Sequence, residues 1–178
     1  MNGKELRELI SAELAPLGYR RLASDWIKDS DEVTKVINLQ KSNFSNQYYL
    51  NYDYILKNIP LEGIISHFGS RFGAEDLKEN KRITQFLDLE NITADDERTI
   101  ELRNFIRKFV LEKVEQIRTE EDLKQMLERW EPKNMIPGVT KRYFGLREET
   151  HAKPSNQNQA ATIIRRYKPN GDNGVSHN

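Results

Sequence analysis

Amide, carboxylate and tyrosine side chains recur at alternate positions along two segments that read as β-strands, residues 33–41 and 47–56. Alternation with a period of two places every second side chain on the same face of a strand. If the two segments pair, five polar residues share one face of the sheet: Asn38, Gln40, Tyr49, Asn51 and Asp53. Such a patch can present directional hydrogen bonds to a partner, and we interpret it as a candidate binding surface. The alternative is the solvated face of an antiparallel sheet that buries only its other side.

A tyrosine cluster in the second segment suggests a different chemistry. Aromatic rings on an exposed sheet can stack on the bases of single-stranded nucleic acid, and lysines at positions 35, 41 and 57 flank this cluster. Its members are Tyr48, Tyr49, Tyr52 and Tyr54. The carboxylate of Asp53 opposes this interpretation because it repels phosphate. The alternative is that Tyr48, Tyr52 and Tyr54 pack beneath helices with their hydroxyl groups at the rim.

Signatures of catalysis and metal binding are absent from the sequence. It has no cysteine and three histidines, of which His151 and His177 lie in the C-terminal segment and His67 stands alone. No HExxH, GxSxG, Walker or GxGxxG pattern occurs. Consecutive acidic residues such as Asp95 and Asp96 lie where helices begin, which the helix dipole explains. We therefore predict no catalytic residue, no metal site and no cofactor, although a hydrolase that uses Asp53 or glutamate residues with a metal stays open as a hypothesis.

Hydrophobic periodicity predicts the elements that position these residues. The predicted order is α-β-β-β-α-β-α-α, an α+β fold in which an antiparallel sheet of about four strands carries helices on one face. The strands are predicted at residues 19–28, 33–41, 47–56 and 81–89, and the helices at 3–15, 58–68, from 93 and from 119. Short connections favour antiparallel neighbours. In this register Ile37, Leu39 and Leu50 point inward and the amide side chains point outward.

Composition limits the class of protein. The 178 residues carry 28 basic and 28 acidic side chains, so the net charge is zero, and mean hydropathy is −0.80. A neutral balance disfavours nucleic-acid binding over the whole surface, and no apolar run is long enough to span a membrane. We predict one domain over residues 1–150 and a disordered, basic tail over residues 151–178. Since the N-terminus shows no apolar signal segment, we expect a cytoplasmic protein.

Several segments resemble one known family. The two most specific read VINLQKS at residues 36–42 and NQYYLN at residues 46–51, and the segment PLGYRR at residues 16–21 resembles the family's opening. The family is the bacterial "domain of unknown function 4304", and the resemblance covers about residues 5–130. It implies a small bacterial cytoplasmic α+β domain and supplies neither an activity nor catalytic residues.

Two functional hypotheses of different classes follow, besides the hydrolase. The first is a non-enzymatic module that binds a protein partner through the polar patch, with an immunity-type inhibitor as its specific form. The second is a single-stranded nucleic-acid binder that uses the tyrosine-rich strand and the basic tail. Binding of the second kind would weaken steeply with salt because it depends on phosphate contacts.

Overall fold

The computed structural model describes residues 1–73 and 76–146. They form a five-stranded antiparallel sheet and five α-helices. The predicted α+β class is therefore confirmed. The strands are β1 (Arg20–Leu22), β2 (Asp25–Asp29), β3 (Val33–Lys41), β4 (Tyr48–Leu56) and β5 (Phe68–Arg71). The helices are α1 (Gly3–Leu14), α2 (Leu77–Phe86), α3 (Asp95–Phe109), α4 (Glu120–Arg129) and α5 (Gly138–Phe144). The predicted tail at residues 151–178 lies outside the described residues.

Side-chain caps determine where several helices begin. At α1 the Asn2 side chain accepts from two backbone N–H groups of the first turn, and the Glu5 side chain accepts from the Asn2 N–H. Thr119 and Asp122 form the same reciprocal cap at α4, which confirms the predicted start of that helix. No helix within the described ranges is long and apolar enough to cross a membrane.

The strands lie in chain order across the sheet, and each pairs with the next in antiparallel fashion. Leu50 of β4 lies opposite Leu39 of β3, and the two are 1% and 4% exposed. Tyr52 packs on Phe109 of α3 with 5.6 Å between ring centroids. The inward register predicted for Ile37, Leu39 and Leu50 is therefore confirmed. We call the opposite face, which bears the amide side chains of β3 and β4, the open face.

The first predicted strand, residues 19–28, is instead a hairpin of two strands. β1 and β2 pair from Arg20 with Ile27 to Leu22 with Asp25. Ala23 adopts a left-handed backbone conformation with φ of 56°, which reverses the chain between them. The pattern of side chains does not indicate a reversal at an alanine, because alanine disfavours positive φ.

The helix predicted at residues 58–68 is wrong. Glu62 and Gly63 both have positive φ, 47° and 87°, and a right-handed helix cannot continue through them. The segment is irregular until it reaches β5, which pairs with β4 from Asn51 with Arg71 to Tyr54 with Phe68. Phe68 completes the apolar spacing that suggested a helix. It is buried, but it faces the core from β5, which begins at this residue.

The strand predicted at residues 81–89 is also wrong, since this segment forms most of α2. Asp76 caps the helix by accepting from the N–H groups of Lys78 and Glu79. The buried residues Ile83, Phe86 and Leu87 follow helical spacing rather than alternation. The sheet thus has five strands rather than four within the described residues, and all of them precede α2.

Candidate binding site

The predicted site residues lie together on the open face. One row runs across four strands in register, in which Asp25 lies opposite Asn38, Asn38 opposite Asn51, and Asn51 opposite Arg71. The flanking rows contain Gln40 opposite Tyr49 on one side and Asp53 opposite Gly69 on the other. Because directly opposed residues on one face have their Cβ atoms about 5 Å apart, the pairing brings these side chains into contact range.

A chain of side-chain hydrogen bonds follows the central row. Asn38 Nδ2 donates to Asp25 Oδ1, and Asn51 Nδ2 donates to Asn38 Oδ1 at 3.5 Å and to Gln40 Oε1 at 3.1 Å. A carboxylate only accepts, so Asp25 sets the direction of both amides. Asn51 Oδ1 and Gln40 Nε2 are left without a partner among the described residues, and they offer a ligand one acceptor and one donor.

Asp53 is a half-buried carboxylate beside this row. Ser66 Oγ donates to its Oδ1 at 2.7 Å. Burial raises the pKa of Asp53 to about 6, because the Ser66 hydrogen bond offsets only part of the desolvation and the negative charge of Asp25 adds to it. Gly69 makes room for this carboxylate, since a Cβ at position 69 would overlap Asp53 Oδ1. The sheet therefore accommodates a carboxyl group whose ionisation is disfavoured.

A cleft of about 430 Å³ opens among these side chains. Its polar lining includes Asp25, Asn38, Gln40, Asn51 and Asp53, and its apolar lining includes Val36, Ile55 and Ile65. Ile65 belongs to the irregular segment before β5 and is 41% exposed. Apolar walls with a few converging polar groups are the usual make-up of a ligand site. The cleft is thus the best candidate for a functional site on the open face.

Aromatic and cationic groups extend the open face beyond the cleft. The guanidinium of Arg71 lies 3.9 Å from the centroid of the Tyr49 ring, a close cation–π contact. The loop between β3 and β4 presents Phe44 with 98% of its surface exposed. Phenylalanine, tyrosine and arginine are enriched at protein interfaces.

The other three tyrosines of β4 belong to the core. Tyr48, Tyr52 and Tyr54 are 4%, 5% and 0% exposed. Their rings have no free face on which a base could stack, so their expected packing beneath helices is confirmed. The hydroxyl group of Tyr54 does not lie at the rim as expected, because it donates to the Val114 carbonyl oxygen within the core. Tyr49 is the one member of the cluster that lies on the open face. The basic tail, the other part of the nucleic-acid hypothesis, lies outside the described residues.

Other buried titratable groups hold the fold together. His67 is fully buried, and its Nδ1 accepts from the Leu56 N–H at 2.9 Å while its Nε2 lies 3.2 Å from the Pro60 carbonyl oxygen. Glu115 follows the end of α3 and forms ion pairs with two lysines of the sheet. Its Oε2 lies 2.6 Å from Lys28 Nζ and 3.2 Å from Lys35 Nζ. Within residues 1–73 and 76–146, no group of three histidine, aspartate or glutamate side chains could hold a metal ion.

Sequence reasoning missed the residues that complete the site: Asp25, Ser66, Gly69 and Arg71. Alternation along β2 was a usable signal for Asp25, because Ile27 and Asp29 share its face. No comparable signal exists for the other three, since their segment reads as the end of a helix and a loop. Only the pairing of β5 with β4 brings Gly69 beside Asp53.

Comparison with known proteins identifies a family. The family model described as Domain of unknown function (DUF4304) matches residues 10–116. This span contains the whole sheet and every residue of the cleft. No curated protein and no solved structure matches the chain. The match confirms the resemblance seen in residues 36–51, and the chain belongs to the DUF4304 family.

Proposed function

We propose that this chain is a non-enzymatic module that binds a protein partner through the open face of its sheet. The observation that carries the proposal is the convergence of Asp25, Asn38, Gln40, Asn51 and Asp53 on one cleft. These residues come from three strands. After the hydrogen bonds that they form with one another, some of their donor and acceptor atoms remain available to a ligand.

Energetic cost supports a binding role over simple solvation of a sheet face. Burying a charged group is unfavourable unless it is paired, and the Asp53 carboxylate has one neutral hydroxyl as its donor. A face that served solubility alone would require neither the deeply buried Asp25 nor a glycine beside Asp53. Groups that are held at such a cost are concentrated at functional sites.

The chemistry of the face supports a protein rather than a nucleic acid as the partner. Carboxylates line the cleft, and they repel phosphate. Tyr49 and Arg71 are residue types that supply much of the binding energy in protein interfaces, and Phe44 adds an exposed aromatic ring in the loop between β3 and β4. Tyr49 and Arg71 lie directly opposite the cleft residues Gln40 and Asn51, so a partner seated on the cleft has both within reach.

An immunity-type inhibitor in the bacterial cytoplasm is the specific form of this module that we propose. It rests on analogy with small domains of this architecture and on the polar, mixed-charge surface. A toxin encoded beside the gene, inhibited by one equivalent of the chain, would support this form. A neighbour without toxicity, or a toxin that the chain leaves active, would exclude it and leave the binding module to be tested as follows.

Site-specific photo-crosslinking in the native host tests the proposal. A benzophenone amino acid replaces Tyr49 on the open face in one variant, and Ile100, which is 57% exposed on α3, in the control. We expect the first variant to capture one protein that the control does not. That protein, once purified, should bind the full chain stoichiometrically, and Asn51→Lys should weaken binding at least about tenfold because it places a cation among the amides.

Two results would overturn the proposal. One is an identical set of crosslinks from both positions, which would mean that the open face has no specific partner. The other is a captured protein whose affinity is unchanged by Asn51→Lys, which would place the contact elsewhere. Circular dichroism and a melting curve of each variant show that it is folded before the comparison is made.

A further inference from the structure

We propose that the cleft accepts the guanidinium group of an arginine side chain of the partner protein, with Asp53 as its counter-ion and Asn51 Oδ1 as a second acceptor. This inference rests on the proposed function and names the group that the same site recognises. It follows from three features of the cleft: two oxygen atoms that receive no hydrogen bond from the described residues, a carboxylate without a cationic partner among those residues, and an apolar wall.

The hydrogen-bond directions leave acceptors facing the cleft. Asp25 receives a hydrogen bond from the Asn38 amide, and Asn38 in turn receives one from the Asn51 amide, so both asparagines donate within the sheet. Among the described residues, Asn51 Oδ1 and Asp53 Oδ2 receive no hydrogen bond. A ligand that matches these two oxygen atoms must donate to both, and guanidinium carries five N–H donors. Gln40 Nε2 stays available to an acceptor elsewhere on the partner.

The Asp53 carboxylate has no cationic partner among the described residues. Arg71 lies on the same face, but its guanidinium is stacked on the Tyr49 ring. Lys28 and Lys35 point to the other side of the sheet, where both pair with Glu115. A positive charge brought by the partner would therefore meet a carboxylate that residues 1–73 and 76–146 leave unneutralised.

The dimensions of the cleft suit an arginine side chain. Asp53 and Asn51 are two positions apart on β4 and share a face, which places their Cα atoms about 7 Å apart. A planar guanidinium can reach oxygen atoms of both, as it does when it binds two acceptors at once. Val36, Ile55 and Ile65 form an apolar wall for the methylene stem, and arginine characteristically buries its stem in this way.

Titration of the ¹⁵N-labelled full chain with small probes tests the inference without the partner. The probes are N-acetyl-arginine amide, its neutral analogue N-acetyl-citrulline amide, and N-acetyl-lysine amide. We expect saturable shifts of the backbone amides at positions 51, 53 and 69 with the arginine probe. Its affinity should exceed that of the citrulline probe by about tenfold or more, and that of the lysine probe by a smaller factor, because only guanidinium forms the planar paired contact.

Two variants locate the contact. Asp53→Asn should weaken the arginine probe by about tenfold or more, whereas Asp31→Asn, which removes the same charge from an exposed turn, should leave it unchanged. Any one of three results would overturn the inference: equal binding of the arginine and citrulline probes, no saturable shift with the arginine probe, or an unchanged affinity of the arginine probe in Asp53→Asn. Equal or tighter binding of lysine would overturn the assignment of guanidinium. Loss of the inference alone leaves Tyr49-specific crosslinking intact, whereas failure of the proposed function abolishes that crosslinking whatever the probes do.

Discussion

Replacing Asp53 with asparagine should stabilise the protein at neutral pH, although it removes a central residue of the candidate site. Burial raises the pKa of Asp53 to about 6 from a usual value of 3.8. The folded state therefore holds a proton on this carboxyl over a pH range in which the unfolded state has lost it. Across that range the free energy of unfolding falls as the pH rises, because the native state binds more protons.

The difference of about 2 pKa units corresponds to about 3 kcal/mol, which the folded state loses in full above about pH 6. Asparagine has nearly the shape of the protonated carboxyl group and carries no charge at any pH. Its Oδ1 can still accept the hydrogen bond that Ser66 Oγ donates to Asp53 at 2.7 Å. We therefore expect Asp53→Asn to add up to about 3 kcal/mol at about pH 7.5 and little at about pH 4.

Urea unfolding of the wild type and the variant at several pH values measures this effect. The difference between the two curves isolates Asp53, since the other titratable groups are common to both proteins. Asp31→Asn is the matched control, because its carboxylate is exposed in a turn and its loss should change stability by less than about 0.5 kcal/mol. A difference that does not vary with pH, or a variant that is less stable at neutral pH, would refute the argument that Asp53 is held against its ionisation.

Three further predictions concern the core, the space beside Gly69 and the buried His67. Leu50→Ala should lower the free energy of unfolding in urea by about 2–5 kcal/mol because it opens a cavity in the core. The control Phe44→Ala should change it by less than about 0.5 kcal/mol. Equal losses would contradict the inward register of Leu50. Gly69→Ala should cost about 1–3 kcal/mol by overpacking, and most of the cost should vanish in an Asp53→Ala background, where Ser66 Oγ is the close neighbour that remains. A cost that persists in full in thermal melts would place the strain in the backbone. His67→Gln should reduce the stability lost between about pH 7.5 and about pH 5.5, because burial lowers the pKa of His67 and the unfolded chain therefore takes up a proton more readily than the folded one. An acid loss of the same size would contradict this reasoning.

Local patterns predicted the part of the fold that alternation and caps define. In β4 every second residue is buried, so the register of Leu50 and the outward position of Asn51 could be read from residue types alone. The cap at Thr119 was equally readable, because it depends on side chains three residues apart. Residues 58–68 and 81–89 were misassigned because short apolar runs fit helix and strand almost equally well. In residues 58–68 the helix is excluded by the positive φ of Glu62, and the first predicted strand is divided by the positive φ of Ala23; both are residue types that rarely adopt this conformation.

By itself, the sequence determined the α+β class, the inward face of β3 and β4, and the five polar residues that this register turns outward. Tertiary structure alone decided that Asp25 meets Asn38, that Gly69 makes room for Asp53, and that the surrounding residues form a cleft. The physical reason is the range of the interactions. Alternation along one strand acts between neighbouring residues, whereas a cleft depends on contacts between strands that are distant in the chain and on how deeply packing buries each charge.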